Sequence, residues 1–107
     1  MGVKLISRDT VLIAMLEGEI DHHTAKGMRD SIDEDIEKKH PSLLELDFGG
    51  VQFMDSSGIG LIMGRYRLMQ SIGGKVKVIN LSRSMERMIK LSGLGSLGIL
   101  EEGRVSK

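Results

Sequence analysis

The feature that most limits the fold of this chain is an alternation of two periodicities. Short apolar runs at Val11 to Leu16, Leu43 to Phe48 and Val76 to Ile79 have the length of strands. Between them lie longer segments whose apolar residues recur at helical spacing. After Thr24, the residues Ala25, Met28, Ile32 and Ile36 fall on one face, with Asp30, Asp33, Glu34, Asp35 and Glu37 largely on the other. The spacing predicts a helix to about Lys39, capped by Asp21 or Thr24. Lys38, Lys39 and His40 suit the negative end of its dipole, and Pro41 stops it. A second helix is expected from Ser57 to about Ile72, burying Ile59, Ile62, Met63, Tyr66, Met69 and Ile72, with Gly73-Gly74 as its stop. Gly60 and Gly64 lower helix propensity inside it, and are expected to allow close packing on the sheet. A third helix, capped by Ser82 or Ser84, carries Leu81, Met85, Met88, Ile89 and Leu91 and ends at Ser92-Gly93.

Val3 to Ser7 reads as a first strand, and the short turn Arg8-Asp9-Thr10 makes it an antiparallel hairpin with Val11 to Leu16. Gly49-Gly50 is turn-like after the third strand, Leu97 to Leu100 is a short fifth strand, and Glu101 to Lys107 is a polar tail. The order β-β-α-β-α-β-α-β implies right-handed helical crossovers between parallel strands. The expected fold is therefore α/β: one domain over residues 1–107, with a mixed, mostly parallel sheet of about five strands packed with about three to four helices.

Composition narrows the function classes. Fifteen basic residues balance fifteen acidic ones, so no global charge favours nucleic acid or a membrane surface. The charge is uneven, because Arg65, Arg67, Lys75, Lys77, Arg83, Arg87 and Lys90 face a single Glu86, whereas residues 30–37 are acidic. Such a run is usually solvated surface. The absence of cysteine excludes disulfides, thiolate catalysis and Cys-based zinc sites. Two phenylalanines, one tyrosine and no tryptophan argue against a base-stacking platform. No apolar run approaches the roughly twenty residues needed to cross a bilayer, and the start of the chain reads as a strand rather than a signal peptide. A cytoplasmic protein with no nucleic-acid or membrane partner is expected.

Loops at the carboxyl edge of a parallel sheet are where such folds bind partners. Three qualify: Asp21-His22-His23-Thr24, Asp55-Ser56-Ser57-Gly58 and Asn80-Leu81-Ser82-Arg83. A metal site from Asp21, His22 and His23 lacks a third strong ligand at suitable spacing, and adjacent loop histidines are expected to point apart. A hydrolase built from Ser56, His22 or His23, and Asp55 or Asp21 lacks a nucleophile elbow, because Met54 stands where its first glycine belongs. Gly58-Ile59-Gly60 lacks the lysine of a P-loop. Asp21 and Asp55 form a conceivable acid pair, but no substrate pocket is implied. Asp55, Ser56 and Ser57 are instead good helix caps, at a position that also favours added phosphate.

These residues carry a resemblance. Gly18-Glu19-Ile20-Asp21-His22-His23-Thr24 and Phe53-Met54-Asp55-Ser56-Ser57-Gly58-Ile59-Gly60, with Ile62 to Gly74 and Met88 to Leu94, resemble the STAS-domain anti-sigma factor antagonists. The nearest resemblance is to the sporulation branch that controls a forespore sigma factor. It implies a STAS fold and a partner that is both anti-sigma factor and serine kinase. That partner binds the unphosphorylated domain, releases its sigma factor, phosphorylates the serine after the aspartate, here Ser56, and lets go. A serine phosphatase resets the cycle. Asp21, His22, His23, Thr24, Asp55, Ser57 and Gly58 would join Ser56 in the docking rim. No enzyme activity or cofactor of the chain itself is implied; ATP and magnesium belong to the kinase, and the free chain is expected to be a monomer. The family carries a further helix after the fifth strand, where only Glu101 to Lys107 remain here. The alternatives are a non-cycling STAS scaffold and a small serine-dependent hydrolase.

Overall fold

The computed structural model describes residues 2–100 and the backbone of 105–106. Strand β1 (Val3–Arg8) pairs antiparallel with β2 (Val11–Ile20), and β2, β3 (Leu43–Met54) and β4 (Lys75–Ile79) run parallel in the order β1-β2-β3-β4. Helices α1 (Ala25–Lys39), α2 (Ser56–Ser71) and α3 (Arg83–Leu91) follow β2, β3 and the short strand β5 (Leu81–Ser82). The hairpin turn is tighter than its sequence implies. Arg8 pairs directly with Val11, and Asp9 takes a left-handed φ of 55°.

Alternation along the strands decides which side is buried. Leu12, Ala14 and Leu16 on β2, Leu44, Leu46 and Phe48 on β3, and Val76 and Val78 on β4 are buried in one cluster with Met28, Ile32 and Ile36 of α1 and Leu61, Ile62 and Met69 of α2. Crossovers of one hand, all stepping the same way across the sheet, bring the helices to this face. The intervening residues Ile13, Met15 and Leu43 are only half-buried. The Val11 to Leu16 run is thus buried on one face rather than two.

Several expectations are corrected. Gly49-Gly50 is no turn; β3 runs through it, with two register shifts against β2 on the way to Met54. Gly50 permits this, since a Cβ there would come 3.0 Å from the Leu16 carbonyl oxygen. The fifth strand is reduced to one parallel bridge from Leu100 to Val78, preceded by a 3-10 helix at Leu94–Leu97. Gly93 and Gly98, with φ of 91° and 73°, break the extended path. Leu81 lies in β5 rather than α3, and Leu91, the last residue of α3, is 82% exposed. The polar tail and any last helix lie outside the described residues, except that the backbone of β6 (Val105–Ser106) pairs parallel with β5. In α2 the stripe shifts. Leu61 and Arg65 are buried, whereas Ile59, Met63, Tyr66 and Ile72 are half-buried.

Gly60 and Gly64 do not pack on the sheet. A Cβ at either would meet no atom within 4 Å, whereas one at Gly58 would collide with the Met54 side chain. Gly60→Ala is therefore expected to stabilise the fold by about 0.5–1 kcal/mol through helix propensity. Gly58→Ala should destabilise it by about 1–3 kcal/mol through overpacking. Thermal melts of the two variants should move in opposite directions, and a matching loss from Gly60→Ala would place that glycine in a close contact.

Candidate functional site

Two loops meet where β2 and β3 end side by side. Ile20 pairs with Met54, and the Asp55 N–H donates to the Ile20 carbonyl at 3.1 Å. Asp55 caps α2 as its spacing predicts, its Oδ1 accepting from the Ser57 N–H at 2.7 Å, while its carbonyl accepts from the Gly58 N–H at 2.9 Å. The capping turn thereby puts Ser56 in the first helical position. Ser56 is exposed, and its hydroxyl has no hydrogen bond among the described residues. Ser57 is half-buried. Gly58 is buried, so it shapes the turn from below and does not line the rim.

The neighbouring loop is organised by Asp21. Its Oδ1 accepts from the His23 N–H at 2.9 Å and the Thr24 N–H at 3.0 Å. Thr24 returns the contact, its Oγ1 accepting from the Asp21 N–H at 3.0 Å and donating to the Glu19 carbonyl at 2.8 Å. Thr24 occupies the cap position of α1 without a side-chain bond into the helix, so Asp21 does the polar work one turn early. The N–H of Thr24, then that of His23, hold the Asp21 carboxyl below the ordinary aspartate range. His22 and His23 do not point apart; their ring centroids are 4.0 Å apart and the planes tilted by 37°. No cluster of three metal-ligating side chains occurs among the described residues.

The third loop does not reach this rim in the same way. Asn80, at a left-handed φ of 60°, donates through Nδ2 to Asp47 Oδ1 at 3.0 Å, beside the Gly49 N–H that donates to the same oxygen at 2.9 Å. Asp47 is the last β3 residue paired with β4, and β3 continues from there to Met54. Ser82, one of the two candidate caps, accepts from the Met85 N–H at 3.2 Å and starts α3.

The structure adds residues that the sequence did not single out. A groove of about 450 Å³ runs from the rim between α1 and α2, lined by His22, Lys26 and Arg29 on one side and Ser57, Gly60 and Gly64 on the other. Its floor includes Arg65, which is 6% exposed rather than part of a solvated basic face. Arg65 Nε lies 2.8 Å from Asp33 Oδ1 of α1. Desolvation raises the Asp33 carboxyl above its ordinary range against the pull of Arg65, and lowers Arg65 in turn. Phe53, 53% exposed at the end of β3, is a second addition. Glycines four apart on a helix leave a channel when they face outward, but their spacing alone does not distinguish that from packing on the sheet.

The chain from residue 3 to 102 matches the model of the STAS domain. It is 42% identical over 84 residues to the anti-sigma F factor antagonist of Paenibacillus polymyxa, covering 78% of this chain and 72% of that one. The chain belongs to the STAS family, among its anti-sigma factor antagonists. Its fold superimposes on the anti-sigma factor antagonist SpoIIAA in its unphosphorylated form with a TM-score of 0.82 at 27% identity, covering 98% of this chain and 88% of that one. For the Bacillus cell fate determinant SpoIIAA in the phosphorylated form the TM-score is 0.75 at 28% identity, covering 98% and 91%. The α/β STAS architecture expected from the resemblance is the one observed. None of this STAS domain's described helices is long and apolar enough to cross a membrane.

The two perturbed aspartates give opposite pH signatures. Asp21, held low in the folded state, contributes stability above the unfolded aspartate pKa of about 3.9 and loses it as pH falls through its folded value. Asp33, held high, contributes below about pH 3.9 and loses that contribution as pH rises through its folded value. Side-chain carboxyl titration by NMR should place Asp33 above and Asp21 below the ordinary aspartate range. The reverse order would refute both environments.

Proposed function

We propose that this antagonist is switched by phosphate on Ser56. The unphosphorylated domain docks on an anti-sigma factor that is also a serine kinase, through Asp21, His22, His23, Thr24, Asp55, Ser56 and Ser57 over the Gly58 turn, and frees the sigma factor. The kinase, carrying its own ATP and magnesium, phosphorylates Ser56, and a serine phosphatase restores the hydroxyl. The chain needs no cofactor, does no catalysis itself, and works in the cytoplasm.

The observation that carries this reading is the state of the Ser56 hydroxyl: exposed, unbonded among the described residues, and fixed at the first position of α2 by the Asp55 cap. Phosphate there adds about −1.5 to −2 charge, which the positive end of the helix dipole tolerates without refolding. The same charge lands beside Asp55 and near the Asp21 loop. A partner surface fitted to a neutral hydroxyl then meets repulsion and loses its desolvation balance. A penalty of about 3–4 kcal/mol weakens the complex roughly hundred- to thousand-fold. The hydrolase alternative finds no support, because no hydrogen bond joins Ser56 to either histidine among the described residues.

Intact-mass spectrometry with site mapping, after incubation with the anti-sigma kinase and Mg-ATP, is expected to show one phosphate on Ser56 and none on Ser56→Ala. Ser56→Ala should still bind the kinase, whereas Ser56→Glu should bind at least about tenfold more weakly. Unmodified wild type beside an active kinase control would refute the cycle, and phosphate on Ser57 would move the site by one residue.

A further inference from the structure

We propose that the groove between α1 and α2 receives an acidic segment of the anti-sigma kinase, an assignment that rests on the Ser56 switch. Glycine inside a helix costs about 0.5–1 kcal/mol relative to alanine, and is found where something must come close. Nothing among the described residues comes close to Gly60 or Gly64, since a Cβ on either would stand in open space. Both line the groove, so the room they leave serves another molecule. The groove floor holds a cation whose bonding is incomplete. Arg65 is 6% exposed, and its Nη1 donates to the Leu61 carbonyl at 3.3 Å. Its Nε lies 2.8 Å from Asp33 Oδ1 but is turned so that it makes no hydrogen bond with any described residue. Buried donors are ordinarily paired, and this residue lines an open channel.

The occupant is the kinase because the groove opens on the rim. His22 belongs to the Asp21 loop and Ser57 follows the modified serine, and both line the groove. The charges select the sign of the segment. Lys26 Nζ and Arg29 Nε, on exposed side chains, share the one carboxylate of Asp30 at 3.0 and 3.2 Å. Asp33 is taken by Arg65, and Glu37, which also acts on Asp33, lies a turn beyond the groove lining. Three cations against two carboxylates leave one positive charge on the wall. The rim beside it carries Asp21 and Asp55, so the kinase surface is cationic against the rim and acidic in the groove. Ser56 and Gly60 are neighbours one turn apart on α2. Phosphate on Ser56 therefore stands at the mouth of the groove, where it repels the acidic segment and competes for Lys26 and Arg29. Gly64 lies about 12 Å along α2 from Ser56, so contact there extends the docking surface well beyond the modified serine.

Calorimetric titration of the whole chain with the anti-sigma kinase in Mg-ADP, so that no phosphate moves, tests this together with thermal melts. Gly64→Leu is expected to weaken binding about tenfold or more while raising the melting temperature, since leucine is the better helix former at an open position. A residue with a purely structural role does not lose affinity and gain stability together. Arg29→Glu, at an exposed position, should weaken binding by a similar factor, and wild-type affinity should fall with added salt. Wild-type affinity in Gly64→Leu overturns the groove as a docking site, and so does a loss of stability alongside affinity. Wild-type affinity in Arg29→Glu overturns the acidic occupant. These outcomes leave the Ser56 switch standing, which the wild-type and Ser56→Glu titrations check separately. A wild type that does not bind the kinase overturns both.

Discussion

The structure depends on how β3 is held between its parallel neighbours. Up to Asp47 the strand is paired on both sides; beyond it only β2 remains, and two register shifts let β3 bend while keeping that pairing to Met54. The last bond of this run, from the Asp55 N–H to the Ile20 carbonyl, ties the entrance of α2 to the exit of β2. Two loops distant in sequence are thus fixed against each other by backbone alone. Their side chains can then serve recognition, because the positions do not depend on contacts between them. The glycine at position 50 is what allows the strand to pass so close to the Leu16 carbonyl.

The ion pair between Arg65 and Asp33 is of another kind. Both groups are shifted toward neutrality, which means that burial acts on each more strongly than their mutual attraction. Such a pair contributes little net stability, yet either partner left alone would be a charge without compensation. Its effect is on geometry. It fixes the spacing of α1 against α2 beside two glycines that leave the channel between them open. The groove is an extension of the rim whose basic lining, Lys26 and Arg29, belongs to the helix counted as acidic from its other face.

The layer order, the hairpin, the three helices and the Asp55 cap were legible in the residues, because each rests on local rules: period, capping oxygen, stop signal. The misreadings came where tertiary context overrides a local rule. Gly49-Gly50 has turn chemistry, but a strand needing room beside a neighbouring carbonyl uses glycine as well. Gly60 and Gly64 looked like packing residues, and only the packing itself shows that they face a channel. Arg65 read as a surface cation, since its partner Asp33 lies on another helix and nothing local announces the pair. The one-sided burial of β2 was hidden by the continuity of Val11 to Leu16, whose apolar residues alternate between the core and the open face.

Under the proposed switch, the placement of Ser56 decides what the modifying enzyme can read. A hydroxyl on the first turn of a capped helix is offered as part of a rigid shape, with Asp55, the Asp21 loop and the α1–α2 groove in fixed relation to it. An enzyme that selects this serine recognises a conformation and not a string of residues. The seven-residue stretch from Met54 to Gly60, cut free of the sheet, keeps its letters and loses the object being recognised. On the proposed switch, modification is confined to molecules that have finished folding.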